Sequence, residues 1–405
     1  MPKVFKYFFG ILFLTGFIFL ISGGKDFHMR SLLSRVSGAF SKVFEEKVAP
    51  EDLLDKYKKE KISVLVVPGH DNVTVGTQFG SVLETDLNVE LTYELIDLLM
   101  KDRNFDVFTT REANGDYSPW FANYLNIKNE SIRTFRDYVK KVASFFGDKA
   151  IVQKTAKVKH NPAADNTSLN LYAINKSANE NNIDIVLHVH FNDYPGRGSG
   201  AGKYTGFAIY VPEKQLPNSS ASIAVAQSIK KQLEKYYAKS SFPGERDVII
   251  EDQELIAVGS NASRNGVSIL MEYGYIYESQ FVNSGTRTLT MKELAAQTYL
   301  GLKAFFEGKD WKFMKYNTAL LSYEWKSALQ KEMKGLGDIV HLQAALIQEG
   351  LYPPVGKTFS DCPMSGVYGN CTASAVRAFQ ERYGIGQTGN VGSQTLDKLN
   401  SLYSL

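Results

Sequence analysis

The chain has 405 residues, 46 basic against 43 acidic side chains for a formal net charge of +3, 44% hydrophobic residues and two cysteines. That length suggests two or three domains of roughly 150 residues each, and the composition is globular, which excludes a disordered, collagenous or disulfide-dense chain. The near balance of charge argues against nucleic acid as a partner, because phosphate contacts need a dense basic face.

Lys3 and Lys6 precede an uncharged run over residues 7–24, closed by Lys25. At about 1.5 Å per residue the run reaches about 27 Å, barely a bilayer core. Two positive charges before it favour an N-terminus held inside, as in an uncleaved signal anchor, while Ser22 and Gly24 would equally serve a signal peptidase. Residues 1–27 are therefore expected to be an N-terminal membrane helix or a cleaved signal. Either places the rest of the chain in the extracytoplasmic cell envelope, anchored to the cytoplasmic membrane or secreted. Leu32, Leu33, Val36, Phe40, Val43 and Phe44 follow at helical spacing among Arg30, Arg35, Lys42 and Lys47. They predict a helical spacer over 28–60, apposed to lipid or to the main domain.

The central unit opens at Lys61. Residues 62–67 form a short β-branched run ending in Pro68 and Gly69, a buried strand and tight turn that deliver His70 to the strand's carboxyl edge. That edge is where open α/β sheets place their ligands. Glu84 comes 14 residues later and begins a helical pattern through Leu87, Leu91, Leu95, Leu98 and Leu99. Residues 105–109 read as a second strand and 183–189 as a third, carrying His188 and His190 before Asn192 and Asp193; strand alternation points both histidines to one face. Residues 267–271 are a buried strand whose end presents Glu272.

Strand ends and a helix start thus present His, Glu, His and Glu. Two imidazoles and one carboxylate make a three-ligand Zn2+ site with a position left for water, whereas a structural site is closed by four protein ligands and usually thiolates. Zinc lowers the pKa of its water and polarises a carbonyl, so a second carboxylate nearby can shuttle protons, a task that Glu272 fits.

These blocks resemble the zinc-dependent N-acetylmuramoyl-L-alanine amidases of the type-three class. The resemblance rests on VLVVPGHD (64–71), VLETDLNVEL (82–91), FTTRE (108–112), INKSANENNIDIVLHVHFND (174–193) and VSILMEYGYIYES (267–279). It implies an α/β fold with a central mixed, largely parallel sheet flanked by helices over 61–308. It also implies zinc ligands His70, Glu84 and His190, with Glu272 as the catalytic acid/base. His188 stands where the family usually has serine: it could support the ligands, touch substrate or compete as a ligand, or be only a partly buried polar residue, and Asn192 is a further candidate to support the ligands or touch substrate. The implied reaction is hydrolysis of the amide between N-acetylmuramic acid and L-alanine of the peptidoglycan stem. A zinc peptidase acting within the stem and a plugged, non-catalytic wall-binding protein are the competing readings.

Relatives have a short connection after FTTRE, but this chain carries an insertion at about 113–170. There Ile132, Phe135, Val139, Val142, Phe145 and Phe146 form a helical apolar stripe. It is either an extra helix packed on the sheet or a lid over the zinc, and a lid would call for an activator protein. Trp311, Tyr316, Leu320, Tyr323 and Leu329 suggest a helical connector over 309–337, with Gly335 and Gly337 as a hinge. Residues 338–405 resemble the small all-α peptidoglycan-binding module through IVHLQAALIQEGLY, SGVYGNCTASAVRAFQERYGI and TGNVGSQTLDKL. Leu342, Leu346, Val376, Phe379 and Leu396 have the spacing of its core. Cys362 and Cys371 are expected to form a disulfide in an exported chain.

Overall fold

The computed structural model describes residues 48–148, 153, 163–194, 196–259, 262–309 and 317–404. The apolar run 7–24, the amphipathic stretch 32–44, and Trp311 and Tyr316 lie outside the described residues, as do the side chains of Phe145 and Phe146. Among the described residues no helix is long and apolar enough to cross a membrane.

The first unit runs α1 (Pro50–Tyr57), β1 (Ile62–Pro68), a short ribbon of β2 (Gln78–Phe79) and β3 (Val82–Leu83), α2 (Glu84–Lys101), β4 (Phe105–Thr109), α3 (Pro119–Ile127), α4 (Asn129–Asp148), α5 (Asp165–Glu180), β5 (Ile185–Asn192), β6 (Ala208–Pro212), α6 (Ser219–Leu233), β7 (Ile249–Asp252), β8 (Val267–Tyr275), α7 (Ser279–Val282) and α8 (Ser284–Glu307). One six-stranded sheet has the order β4-β1-β5-β8-β6-β7. Every pairing is parallel except β6 with β8, so the sheet is mixed and largely parallel, as the resemblance implies. Strands buried on both faces explain why β1 and β5 read as near-continuous apolar runs.

On one face, Val64, Val66, Leu187, Val189, Ile269 and Met271 pack against α2, α6 and α8. Leu87, Leu91, Leu95 and Leu99 are fully buried one turn apart along α2, the i, i+4 spacing that turns a helix stripe into a core face. Each such leucine contributes about 1.5–3 kcal/mol by leaving water. Glu84 and Asp86 occupy the first turn of α2 and Lys101 the last, the charge order its dipole favours.

On the other face, Leu65, Val67 and Val186 meet Leu169, Tyr172 and Ala173 of α5, together with Phe121, Ile132 and Val139 of the insertion. The stripe on α4 is thus docked on α5, with Phe135 edge-on to Tyr172 at 6.3 Å.

Two expectations about the tail need correction. Among the described residues, 317–336 contains no helix, so the connector is not helical there. Ser322 and Glu332 have φ of 79° and 80°, incompatible with a right-handed helix, and Leu329 instead bridges Val391. Gly335 and Gly337 do not form a free hinge either. Gly337 opens α9 (Gly337–Gln348), and a Cβ on Gly285 of α8 would collide with the Gly335 carbonyl oxygen, so the two backbones pack directly. The apolar spacing that suggested a helix serves burial: Leu320, Leu321, Trp325 and Leu329 enter the core of the following unit.

That unit consists of α9, α10 (Asn370–Arg382) and α11 (Ser393–Tyr403). Leu342, Leu346, Val376 and Phe379 are buried and Leu396 is partly buried against them. Asn400 clasps the Trp325 backbone from both sides, its Oδ1 accepting from the main-chain N–H at 2.8 Å and its Nδ2 donating to the carbonyl at 2.9 Å. Cys362 and Cys371 are disulfide-bonded, their Cα atoms 5.8 Å apart.

Candidate metal centre

β1 ends at Pro68, and the chain turns at Gly69 so sharply that His70 takes φ +63°, a left-handed conformation costly for any residue with a Cβ. The turn is held from below by Arg111. This guanidinium, 1% exposed, donates from Nη1 to the His70 carbonyl at 3.2 Å and to Thr85 Oγ1 at 2.8 Å. Its Nε donates to the Gly115 carbonyl at 2.9 Å and its Nη2 to Asn72 Oδ1 at 3.1 Å. Asn88 adds a bond to the Gly69 carbonyl at 3.0 Å. Two glycines make room for the side chains. A Cβ on Gly69 would collide with the His190 ring, and one on Gly76, at φ +77°, with Glu84 and His70.

Glu84, the first residue of α2, lies buried between the two imidazoles. Its Oε2 is 3.1 Å from His70 Nε2 and its Oε1 is 3.0 Å from His190 Nδ1. One donor atom from each of the three residues lies within 4.8 Å of the others. Burial alone would raise the Glu84 carboxyl, but bonds from His190 and His70 hold it far below the ordinary carboxylate range. Burial pulls His70 down, but the bond to Glu84, the charges of Glu84 and Asp71 and the Thr74 backbone together carry it upward; His190, more deeply buried and facing His70, shifts downward despite its own bond to Glu84.

Glu272 and His190 lie inside β8 and β5 rather than at their ends, because both strands run past the expected limits to Tyr275 and Asn192. They are register partners, which turns both side chains to the same face. Glu272 Oε2 is buried without a hydrogen-bond partner. Burial, then the nearby charges of Glu84 and Glu245, push its carboxyl well above the usual range.

His188 lies on the same face one pleat deeper, 1% exposed, with neither ring nitrogen bonded. It lies outside the group of three, and burial followed by the neighbouring His190 takes it down to about 3. Asn192 turns to Glu245, donating from Nδ2 at 2.8 Å.

Sequence reasoning missed Glu245, which sits on a single 3-10 turn (Pro243–Glu245). It accepts from Asn192, from Tyr210 OH at 2.7 Å, from Tyr275 OH at 3.2 Å and from Ser240. No periodicity marks a lone carboxylate in a turn. Arg111 was within reach, since it lies in the FTTRE block.

The donor chemistry fits zinc: two imidazoles and a carboxylate, with a second carboxyl beside them whose buried Oε2 has no partner.

A three-donor group at the carboxyl edge of a largely parallel sheet, in a chain that continues into a small helical unit, defines a candidate metal centre with an accessory module. The chain belongs to the N-acetylmuramoyl-L-alanine amidase family, whose model matches residues 64–304, and a peptidoglycan binding domain model matches residues 336–399. It is therefore an enzyme of peptidoglycan hydrolysis. Similar solved structures include an N-acetylmuramoyl-L-alanine amidase from Clostridium difficile 630, at 16% identity, covering 62% of this chain and 100% of that one with a TM-score of 0.39. The CwlD amidase from Clostridioides difficile, solved in complex with the GerS lipoprotein, matches at 15% identity over 62% of this chain and 100% of that one, with a TM-score of 0.41. Ami1 from Mycobacterium smegmatis matches at 12% identity over 62% and 99%, with a TM-score of 0.39. These likenesses are loose, and the family assignment rests on the family model. No curated protein is a significant match.

Proposed function

We propose that His70, Glu84 and His190 hold a zinc ion and that Glu272 is the general acid/base in hydrolysis of the amide joining the lactyl group of N-acetylmuramic acid to L-alanine. The observation that carries this reading is the register pairing of Glu272 with His190, which sets an unbonded carboxyl on the same face as the donor group. Zinc bound there would supply Lewis acidity toward the carbonyl and lower the pKa of a water to about 7.

The residues of the chain do the rest. Glu84 and the two histidines fix the reacting centre at the sheet edge. Glu272 takes a proton from the attacking water and returns it to the L-alanine nitrogen as that amine leaves, a task open to a carboxyl whose Oε2 has no partner in the protein. Arg111 keeps the strained His70 turn in place.

The further organisation belongs to the same reading. Residues 61–308 form the catalytic domain and 338–405 the wall-binding module, which raises the local enzyme concentration on its substrate. The apolar run 7–24 holds the chain at the outer face of the cytoplasmic membrane or exports it before cleavage. An activator protein enters this scheme only if the insertion covers the site.

Digesting purified peptidoglycan with the full chain, with and without a chelator, tests the reading. New L-alanine amino termini that vanish with chelator are expected. New termini inside the stem would indicate a peptidase, and no release at all a wall-binding protein.

A further inference from the structure

Two chain segments flank the donor group: the turn that precedes Glu84 and the loop that follows His190. One arginine joins them. Arg197 donates from Nε to Asp193 Oδ1 at 2.7 Å, from Nη1 to the carbonyls of Gly198 at 3.0 Å and Gly200 at 3.1 Å, and from Nη2 across to the Gln78 carbonyl at 2.8 Å. Its guanidinium carbon lies 5.5 Å from the ring centres of both Phe79 and Tyr277, and the side chain is only 9% exposed.

The path continues to the ligand. Asp193 accepts through its second oxygen from Thr77 Oγ1 at 2.6 Å. The Thr77 N–H donates to Glu84 Oε2 at 2.9 Å, and the Glu84 N–H returns to the Thr77 carbonyl at 3.0 Å. Arg197, Asp193, Thr77 and Glu84 therefore form one chain of bonds between a loop starting three residues after His190 and the carboxylate that faces both imidazoles. A surface ion pair needs neither the fork nor the aromatic faces, and a lysine could supply only a point charge.

We propose that Arg197 is a positioning residue for the metal centre: it latches the loop after His190 onto the turn before Glu84 and so fixes the orientation of the Glu84 carboxylate. This rests on the reading of His70, Glu84 and His190 as metal ligands. A coordinating carboxylate is aimed by its own hydrogen bonds, and removing such a partner costs about 10- to 100-fold in metal affinity.

Zinc titration into the metal-stripped full chain, in competition with a chromogenic chelator, tests the proposal. Arg197→Lys keeps the charge but not the fork, Thr77→Val removes the hydroxyl at nearly constant shape, and Thr77→Ser keeps it. The first two are expected to weaken zinc binding about 10- to 100-fold, and the serine variant to bind as the wild type does. Should Arg197→Lys fail to fold, the Thr77 pair decides. Wild-type affinity in both Arg197→Lys and Thr77→Val overturns the proposal alone. Failure of the wild-type chain to take up zinc overturns the ligand assignment and the proposal with it.

Discussion

Glu272 and His190 face each other across neighbouring parallel strands, as register partners whose side chains emerge on one side of the sheet. An imidazole that completes a donor group therefore stands directly beside a half-buried carboxyl whose buried Oε2 has no partner. Glu272→Gln keeps the shape and removes the proton-transfer group. Turnover on purified peptidoglycan is expected to fall by about 10²- to 10⁴-fold, with zinc content unchanged by elemental analysis. Retained turnover would remove Glu272 from the chemistry.

The junction between the two units contains another buried carboxyl. Glu293 of α8 accepts from Gln297 Nε2, Thr318 Oγ1 and the Ala319 N–H, each at 2.8 Å. Burial raises it from 4.5 to about 7 despite these donors, and Tyr236 and Tyr237 are the neighbouring titratable groups. The folded carboxyl keeps its proton up to about pH 7, whereas the unfolded one releases it near 4.5. Its contribution to stability is thus full below pH 4.5, declines as pH rises to about 7, and is constant above. Between pH 5 and 8 the melting temperature of wild type should fall relative to that of Glu293→Gln. Parallel curves would contradict the assignment.

The insertion is docked rather than loose. Ile132 is fully buried against α5, so Ile132→Ala is expected to destabilise the protein by about 2–5 kcal/mol in denaturant unfolding. Turnover per folded molecule should not rise; a rise would favour a lid.

The Cys362–Cys371 bond closes a separation of 9 residues. Replacing both cysteines by serine is expected to lower the stability of the C-terminal unit by about 2–3 kcal/mol in the chain-entropy model, read as a shift in its denaturant midpoint.

Much of the site was legible because local chemistry marks it. A β-branched run ending in Pro68 and Gly69 announces a strand end, and Glu84 opens a leucine stripe, so local pattern alone places His70 and Glu84 at the sheet edge. The choice between His188 and His190 was not open to periodicity, since both point the same way; it depends on Glu84 reaching His190 Nδ1 and not the deeper ring. Glu245 and Arg197 were invisible because their roles arise from contacts between turns distant in sequence. The segment around Trp325 misled because apolar spacing records burial whichever backbone delivers it; here an irregular segment with positive φ at Ser322 and Glu332 does so. Strands β6 and β7 were missed because their short runs carry no chemical marker.

X-ray absorption spectroscopy at the zinc edge of the reconstituted full chain tests the central claim most directly. Two imidazole nitrogens at about 2.0–2.1 Å and carboxylate or water oxygen at about 2.0–2.2 Å are expected, with one imidazole lost in His190→Ala. Sulfur at about 2.3 Å, or an imidazole count unaltered by His190→Ala, would contradict it.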